Sequence, residues 1–210
     1  MSDQNYITSF CSIKSSEVSI NSFVDYSDRE QNSAVGFLKS VYKHYQMAYP
    51  KFYKMDSLCK LAFITSELLI KTNKITEKYK KEDIAIVVAN SVSSLETDTE
   101  YQTTIDKNNY FPSPTVFVYT LPNILLGEIA IRNGIKGENT FFVFDKFDAN
   151  FMSSYINSLL NSDRAQCCIT GWVDFYEDKF ESFLYTVEKK PGILSIENTS
   201  EQLTKLFINQ

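Results

Sequence analysis

Residues 111–150 read FPSPTVFVYTLPNILLGEIAIRNGIKGENTFFVFDKFDAN, and the spacing of their turn residues decides the fold. Pro122 suits the first turn of a helix, where its missing N–H costs nothing. That helix carries Gly127 and ends near Gly134, a favourable C-terminal glycine. Past the corner at 134–137, the apolar run 140–144 reads as a strand buried on both faces. Asp148 or Asn150 can then cap a second helix reaching about Leu160, with Phe151, Met152, Tyr155, Ile156, Leu159 and Leu160 as its apolar stripe. Its other face, Ser153, Ser154, Asn157 and Ser158, is small or polar.

The same alternation extends in both directions. Residues 6–12 alternate as a first strand, and the polar stretch 25–31 reads as loop. Val35, Leu38, Val41, Tyr42, Tyr45 and Tyr49 give helical spacing over 33–49, which Pro50 interrupts. A stronger helix spans 56–72 with Asp56 at its N-cap. The continuous apolar strand 83–90 follows, then a small-residue loop at 91–94, a short helix at 95–103, a polar loop through Asn109 and an irregular piece at 112–114. Later come a strand over 165–171 ending at Gly171, another over 181–188, and helical spacing of Leu203, Leu206 and Phe207 within 198–208. Strands alternating with helices predict an α/β sheet with right-handed crossovers, and the last two strands, pairing directly, make it mixed.

Composition narrows the class. A chain of 210 residues, 43% hydrophobic, supports one domain with a real core. With 16 Phe and 13 Tyr, and few Gly and Pro, the body is not low-complexity. A net charge of −5 argues against a general nucleic-acid binder. The lysine run Lys71, Lys74, Lys78, Lys80 and Lys81 reads as a solvated loop, and it is the one basic candidate for docking an acidic partner. Cys11, Cys59, Cys167 and Cys168 form no CxxC pair and read as small core residues of a reduced compartment. The start MSDQN is too polar for a signal peptide, and no apolar run reaches the roughly 18–20 residues of a membrane span. The expectation is a cytoplasmic protein without cofactor or metal.

The order of elements resembles one half of the thiolase fold, and several stretches are similar to the N-terminal half of β-ketoacyl synthases. Pro122-Asn123, Gly127 and Gly134-Ile135-Lys136-Gly137 carry the closest match. Residues 6–12 resemble that half's first strand, 55–69 its first long helix, and 84–94 its second strand and loop. Residues 169–174, ITGWVD, resemble the strand that ends in paired glycines, of which only Gly171 is present. The resemblance covers most of 5–190. It implies a βαβαβαββ half with a mixed five-stranded sheet and helices on both faces. The division it suggests is a ketosynthase-like domain at 1–190 and a helical appendage at 191–210.

In that family a cysteine at the mouth of the helix after the strand carries the acyl chain as a thioester, its pKa lowered by the helix N-terminus. Here the position falls at Lys146, within Phe144-Asp145-Lys146-Phe147-Asp148. An amide on lysine would not release the acyl group, and Asp145 and Asp148 favour the protonated ammonium. The family's histidines belong to its second half. His44, the one histidine here, reads as a surface or core-edge residue. Asp145, Asp148 and Asp174 are better explained by helix capping and surface charge than by a metal or acid–base site. Trp172 reads as packing. Among Phe141, Phe142, Phe144, Phe147 and Phe151, plain core or interface packing outweighs a lipid-lined pocket.

The resemblance therefore implies a non-catalytic, ketosynthase-like subunit, a pseudoenzyme of the chain-length-factor kind. It would pair with itself or with a ketosynthase-type partner, meet an acyl carrier protein, and shape chain length in fatty-acid, polyketide or aryl-polyene-type synthesis. Phe144, Asp145, Lys146, Phe147, Asp148 and Phe151 are its candidate interface or acyl-pocket residues. The alternatives are an acyl-transferring enzyme that completes a shared site, and a lipid-binding α/β module.

Overall fold

The protein's structure, a computed structural model, describes residues 4–108 and 110–209. The polar start at 1–3, Asn109 of the polar loop and Gln210 of the tail lie outside the described residues. In chain order the elements are β1 (Tyr6–Lys14), β2 (Glu17–Ile20), β3 (Phe23–Ser27), α1 (Ala34–His44), α2 (Ser57–Asn73), α3 (Ile75–Lys78), β4 (Ile84–Asn90), α4 (Leu95–Thr103), α5 (Pro114–Val118), α6 (Ile124–Asn133), β5 (Asn139–Val143), α7 (Ala149–Asn161), β6 (Cys167–Tyr176), β7 (Lys179–Glu188), β8 (Ile196–Glu197) and α8 (Ser200–Ile208). The expected α/β sandwich is present. One mixed sheet in the order β3-β2-β1-β7-β6-β4-β5, with β8 against β1, carries helices on both faces.

β4 shows why the chain folds this way. Ile84, Ile86 and Val88 face the layer of α1, α2 and α6, while Ala85, Val87 and Ala89 face α7 and α8. Side chains alternate across a strand, so a continuous apolar run is what a doubly covered strand needs. β4 pairs parallel to both β6 and β5, whereas β7 runs antiparallel to β6 and β1. Asp56 caps α2 as expected, its carboxylate accepting from Cys59 N at 2.8 Å.

Several expectations need correction. The sheet has eight strands among the described residues, not five. β1, β4, β5, β6 and β7 are the expected five, and β2, β3 and β8 are additional. The β2–β3 hairpin lies where no element was expected, and the end of β3 runs into the stretch 25–31 read as loop. The turn from β1 into β2, Ser15-Ser16, and the turn from β2 into β3, Asn21-Ser22, have φ of 51°, 60°, 51° and 72°. Turns of that hand ordinarily announce themselves with Asn-Gly or Asp-Gly, and here no glycine marks them. β5 is not buried on both faces: it is the sheet's edge, paired only with β4, and Val143 is 51% exposed.

β6 does not stop at Gly171 but continues to Tyr176. Gly171 has a φ of 146°, and a Cβ there would lie 2.0 Å from the Phe183 carbonyl oxygen, so this glycine lets β7 approach. α1 ends at His44, short of Tyr49, which precedes a 3-10 turn over Pro50–Lys54. Pro122 stands in the turn leading into α6 rather than in its first turn, and Pro114 opens the unanticipated α5. No helix among the described residues is long and apolar enough to cross a membrane.

Candidate functional site

The corner between β5 and α7 is assembled by four local devices. Gly137 lies where a Cβ would meet the Ile84 carbonyl oxygen at 2.2 Å, so only glycine lets the chain enter β5 alongside β4. β5 then runs parallel to β4 in the register Val88↔Phe141 and Ala89↔Phe142. At its end Phe144 N donates to the Asn90 carbonyl at 3.0 Å, carrying the pairing one residue past the strand. Finally Asp148 opens α7, its Oδ1 accepting from Phe151 N at 2.9 Å. Asp148 is therefore used as a cap, a role worth about 1 kcal/mol.

The aromatic side chains divide by strand alternation. Phe141 packs into the core under α2 and α6. Phe142 and Phe144 point to the α7 side, where Phe142 meets Phe144, Phe151 and Tyr155 at centroid distances of 5.6, 4.9 and 5.1 Å. Phe144 meets Phe151 at 5.0 Å. Phe147 turns inward instead. It stacks on Phe207 of α8 at 4.4 Å and meets Trp172 and Phe183 edge-on at 6.1 and 6.2 Å. Asp145 and Lys146 are exposed, and Lys146 has no ion pair among the described residues. This leaves a cation without an ion pair at the corner's rim among the described residues.

An open groove of 960 Å³ runs along this corner. Residues 143–150 form one wall, and Ser200, Thr204, Phe207 and Ile208 of α8 form the other. The spacing of those four residues puts them on one face of the helix. The expected candidates Phe144, Asp145, Lys146, Phe147 and Asp148 thus share one groove, while Phe151 stands behind it, in the aromatic cluster with Phe142 and Phe144. Reading residues one by one missed the second wall. Leu203, Leu206 and Phe207 predict a helix there but do not say where it docks.

An asparagine network holds α8's root. Asn198 donates from Nδ2 to Asn157 Oδ1 at 2.9 Å, Asn157 donates to the Asn198 carbonyl at 3.0 Å, and Asn5 donates to Asn157 and Asn161 at 3.1 and 2.9 Å. Ser153 and Asn157 of α7's polar face lie under this network, whereas Ser154 and Ser158 remain exposed.

Among the described residues no cysteine or histidine reaches the corner. Cys11, Cys59, Cys167 and Cys168 are all buried, on β1, α2 and β6, and burial pushes each thiol well above its ordinary range. His44 is exposed on α1, its ring tilted against Tyr26 at 4.2 Å between centroids. Asp174 accepts from Ser91 on β4's loop, apart from the capping Asp148. Lys78, in the basic run, is committed to buried Glu188 at 3.5 Å and to Asn73 at 2.6 Å. Glu188 is also bonded to Thr8 at 2.6 Å, Asn73 at 2.8 Å and Tyr79 at 2.7 Å, which makes this cluster a structural knot joining α2, β1 and β7. No group of three or more His, Cys, Asp or Glu among the described residues is placed to hold a metal ion.

No protein-family model matches the sequence, and no curated protein matches it. Solved structures match its fold. The structure of the ishigamide ketosynthase/chain length factor contains a chain that superposes with a TM-score of 0.66 at 16% identity, over 89% of this chain and 62% of that one. The fold is thiolase-like. A type II PKS acyl-carrier protein in complex with its ketosynthase bound to the hexaketide gives a TM-score of 0.59 at 12% identity, over 89% and 62%. A ketosynthase in complex with its chain length factor from Xenorhabdus doucetiae gives 0.57 at 13%, over 90% and 80%. This chain spans 62% of the length of the first two. At these identities the likeness is one of fold, and it matches the expected thiolase-like half.

Proposed function

We propose that the chain is a non-catalytic, ketosynthase-like subunit that pairs with a ketosynthase-type partner or with itself, and that its corner at 144–148, with Phe151 behind it, contributes an interface or part of an acyl pocket. One observation carries this reading. The corner carries an exposed lysine, Lys146, and no cysteine, and every cysteine is buried elsewhere with its thiol pushed up by burial. A corner without a cysteine cannot carry a thioester, while an open groove lies beside Phe144 and Phe147.

Two surfaces support pairing. β5 is an open sheet edge, with backbone groups free to bond another chain. In one stretch, Tyr110, Phe111, Phe117, Val118 and Leu121 are exposed, and Phe111 is 80% exposed. Apolar surface of this kind ordinarily marks an interaction site. In this reading residues 1–190 are the ketosynthase-like body and 191–210 an appendage closing one of its faces. The acyl chain would belong to polyketide, fatty-acid or aryl-polyene-type synthesis, delivered by an acyl carrier protein.

Co-expression with a ketosynthase and a carrier protein from the same gene neighbourhood tests the reading. The expected result is a stable complex whose product length changes when Phe151→Ala or Phe144→Ala is introduced. A chain that elutes alone, with product length indifferent to both changes, overturns it.

A further inference from the structure

We infer that α8 is a displaceable lid, and that an unbranched acyl chain enters the corner by taking the place of Phe207 on the floor made by Phe147, Phe183 and Trp172. The inference rests on the reading of the corner as an acyl pocket and adds the device that opens it.

The attachment of α8 is lopsided. Its root is fixed by the Asn198–Asn157 bonds and by β8, which pairs Ile196 with Ile7 and Glu197 with Tyr6. Beyond Thr199, every side-chain hydrogen bond and ion pair of the helix is local: Thr204 to the Ser200 carbonyl, Lys205 to Glu201, and Asn209 to the Lys205 carbonyl. Among the described residues none reaches the rest of the chain. Among the described residues the helix body is held by Leu203, fully buried, with Leu206 and Phe207 partly buried against the same core. A fixed root and a body held by a few apolar anchors make a segment that opens below the global unfolding free energy.

What lies beneath suits a hydrocarbon. Phe207 stacks on Phe147 at 4.4 Å and meets Phe183 at 5.8 Å, and Phe147 meets Trp172 and Phe183. The four side chains named are all aromatic, and each packs in the apolar cluster on this side of the sheet. Phe207 and Ile208 also line the 960 Å³ groove, so swinging α8 away removes that wall and uncovers the aromatic floor beside residues 143–150. Asp145, Lys146 and Asn150 make the remaining wall polar at its rim, where the head of an entering chain would remain hydrated.

The test uses the full chain, hydrogen exchange and the fluorescent fatty acid cis-parinaric acid. Thr199 caps α8 by accepting from Gln202 N at 3.3 Å and touches nothing in the floor. Thr199→Ala is expected to raise exchange of the α8 amides about fivefold, the ratio that loss of a typical N-cap gives. A ligand that binds only the open state gains affinity in proportion to the open fraction, so the probe should bind about fivefold tighter. Phe207→Ala should increase both further, and Thr199→Ser should restore both. If α8 exchange rises while probe affinity stays constant, the lid is overturned and the acyl pocket survives. If neither the wild type nor either variant binds the probe, lid and pocket fail together.

Discussion

Phe147 and Lys146 are neighbours in sequence with opposite surroundings, and replacing each by alanine separates packing from residual chemistry. A fully buried Phe→Ala change costs about 3–5 kcal/mol. Phe147 is half-buried, so the structure supports about 2–3 kcal/mol, to which its contacts with Phe207, Trp172 and Phe183 all contribute. Unfolding entropy of about 2.1 cal/mol/K per residue over 210 residues amounts to roughly 0.44 kcal/mol/K. Phe147→Ala should therefore lower Tm by about 5–7 °C. Lys146→Ala removes an exposed side chain without an ion pair among the described residues, and should stay within about 0.5 kcal/mol, or roughly 1 °C, of the wild type. Differential scanning calorimetry of both variants reads the contrast. Equal losses, or a larger loss at Lys146, would refute the inward packing of Phe147 and give the lysine a role that the structure denies it.

Gly137→Ala places a methyl 2.2 Å from the Ile84 carbonyl oxygen, with backbone on all three nearest sides; the β4–β5 junction must move, and the variant should lose at least about 2 kcal/mol in urea titration. Asp148→Ala removes the α7 cap and should cost about 1 kcal/mol, while Asp148→Asn keeps an accepting oxygen and most of the stability. The four buried thiols should resist an aromatic disulfide reagent in the folded chain and react fully in denaturant. Because their folded pKa values are raised above the ordinary value of 9.0, the unfolded chain releases protons first as pH climbs. The thiols' contribution to stability is then constant below about pH 8 and is lost as pH rises through 9 and above, which alkaline thermal melts can follow.

Much of the fold was legible because its signals are local. Asp56 before an apolar helix, the unbroken run of β4 and the spacing from Pro122 to Gly137 each reflect a cap, a doubly covered strand or a close approach that only certain residues satisfy. The missed hairpin failed for the converse reason: Ser15-Ser16 and Asn21-Ser22 adopt left-handed backbone without glycine, so their turns carry no conspicuous mark. The edge position of β5 was hidden because an apolar run looks the same whether its neighbour is a second strand or open space. At the corner, Phe144 through Asp148 were legible as a set. The opposite wall was not, since nothing in Leu203, Leu206 or Phe207 states which surface a tail helix will cover.

The most direct measurement is the intact mass of this chain after the complex with its ketosynthase-type partner has been loaded from an acyl carrier thioester. The account predicts that the chain co-purifies with the partner and keeps its unmodified mass while the partner gains one acyl group. An acyl adduct on this chain, at Lys146 or at any cysteine, would contradict it.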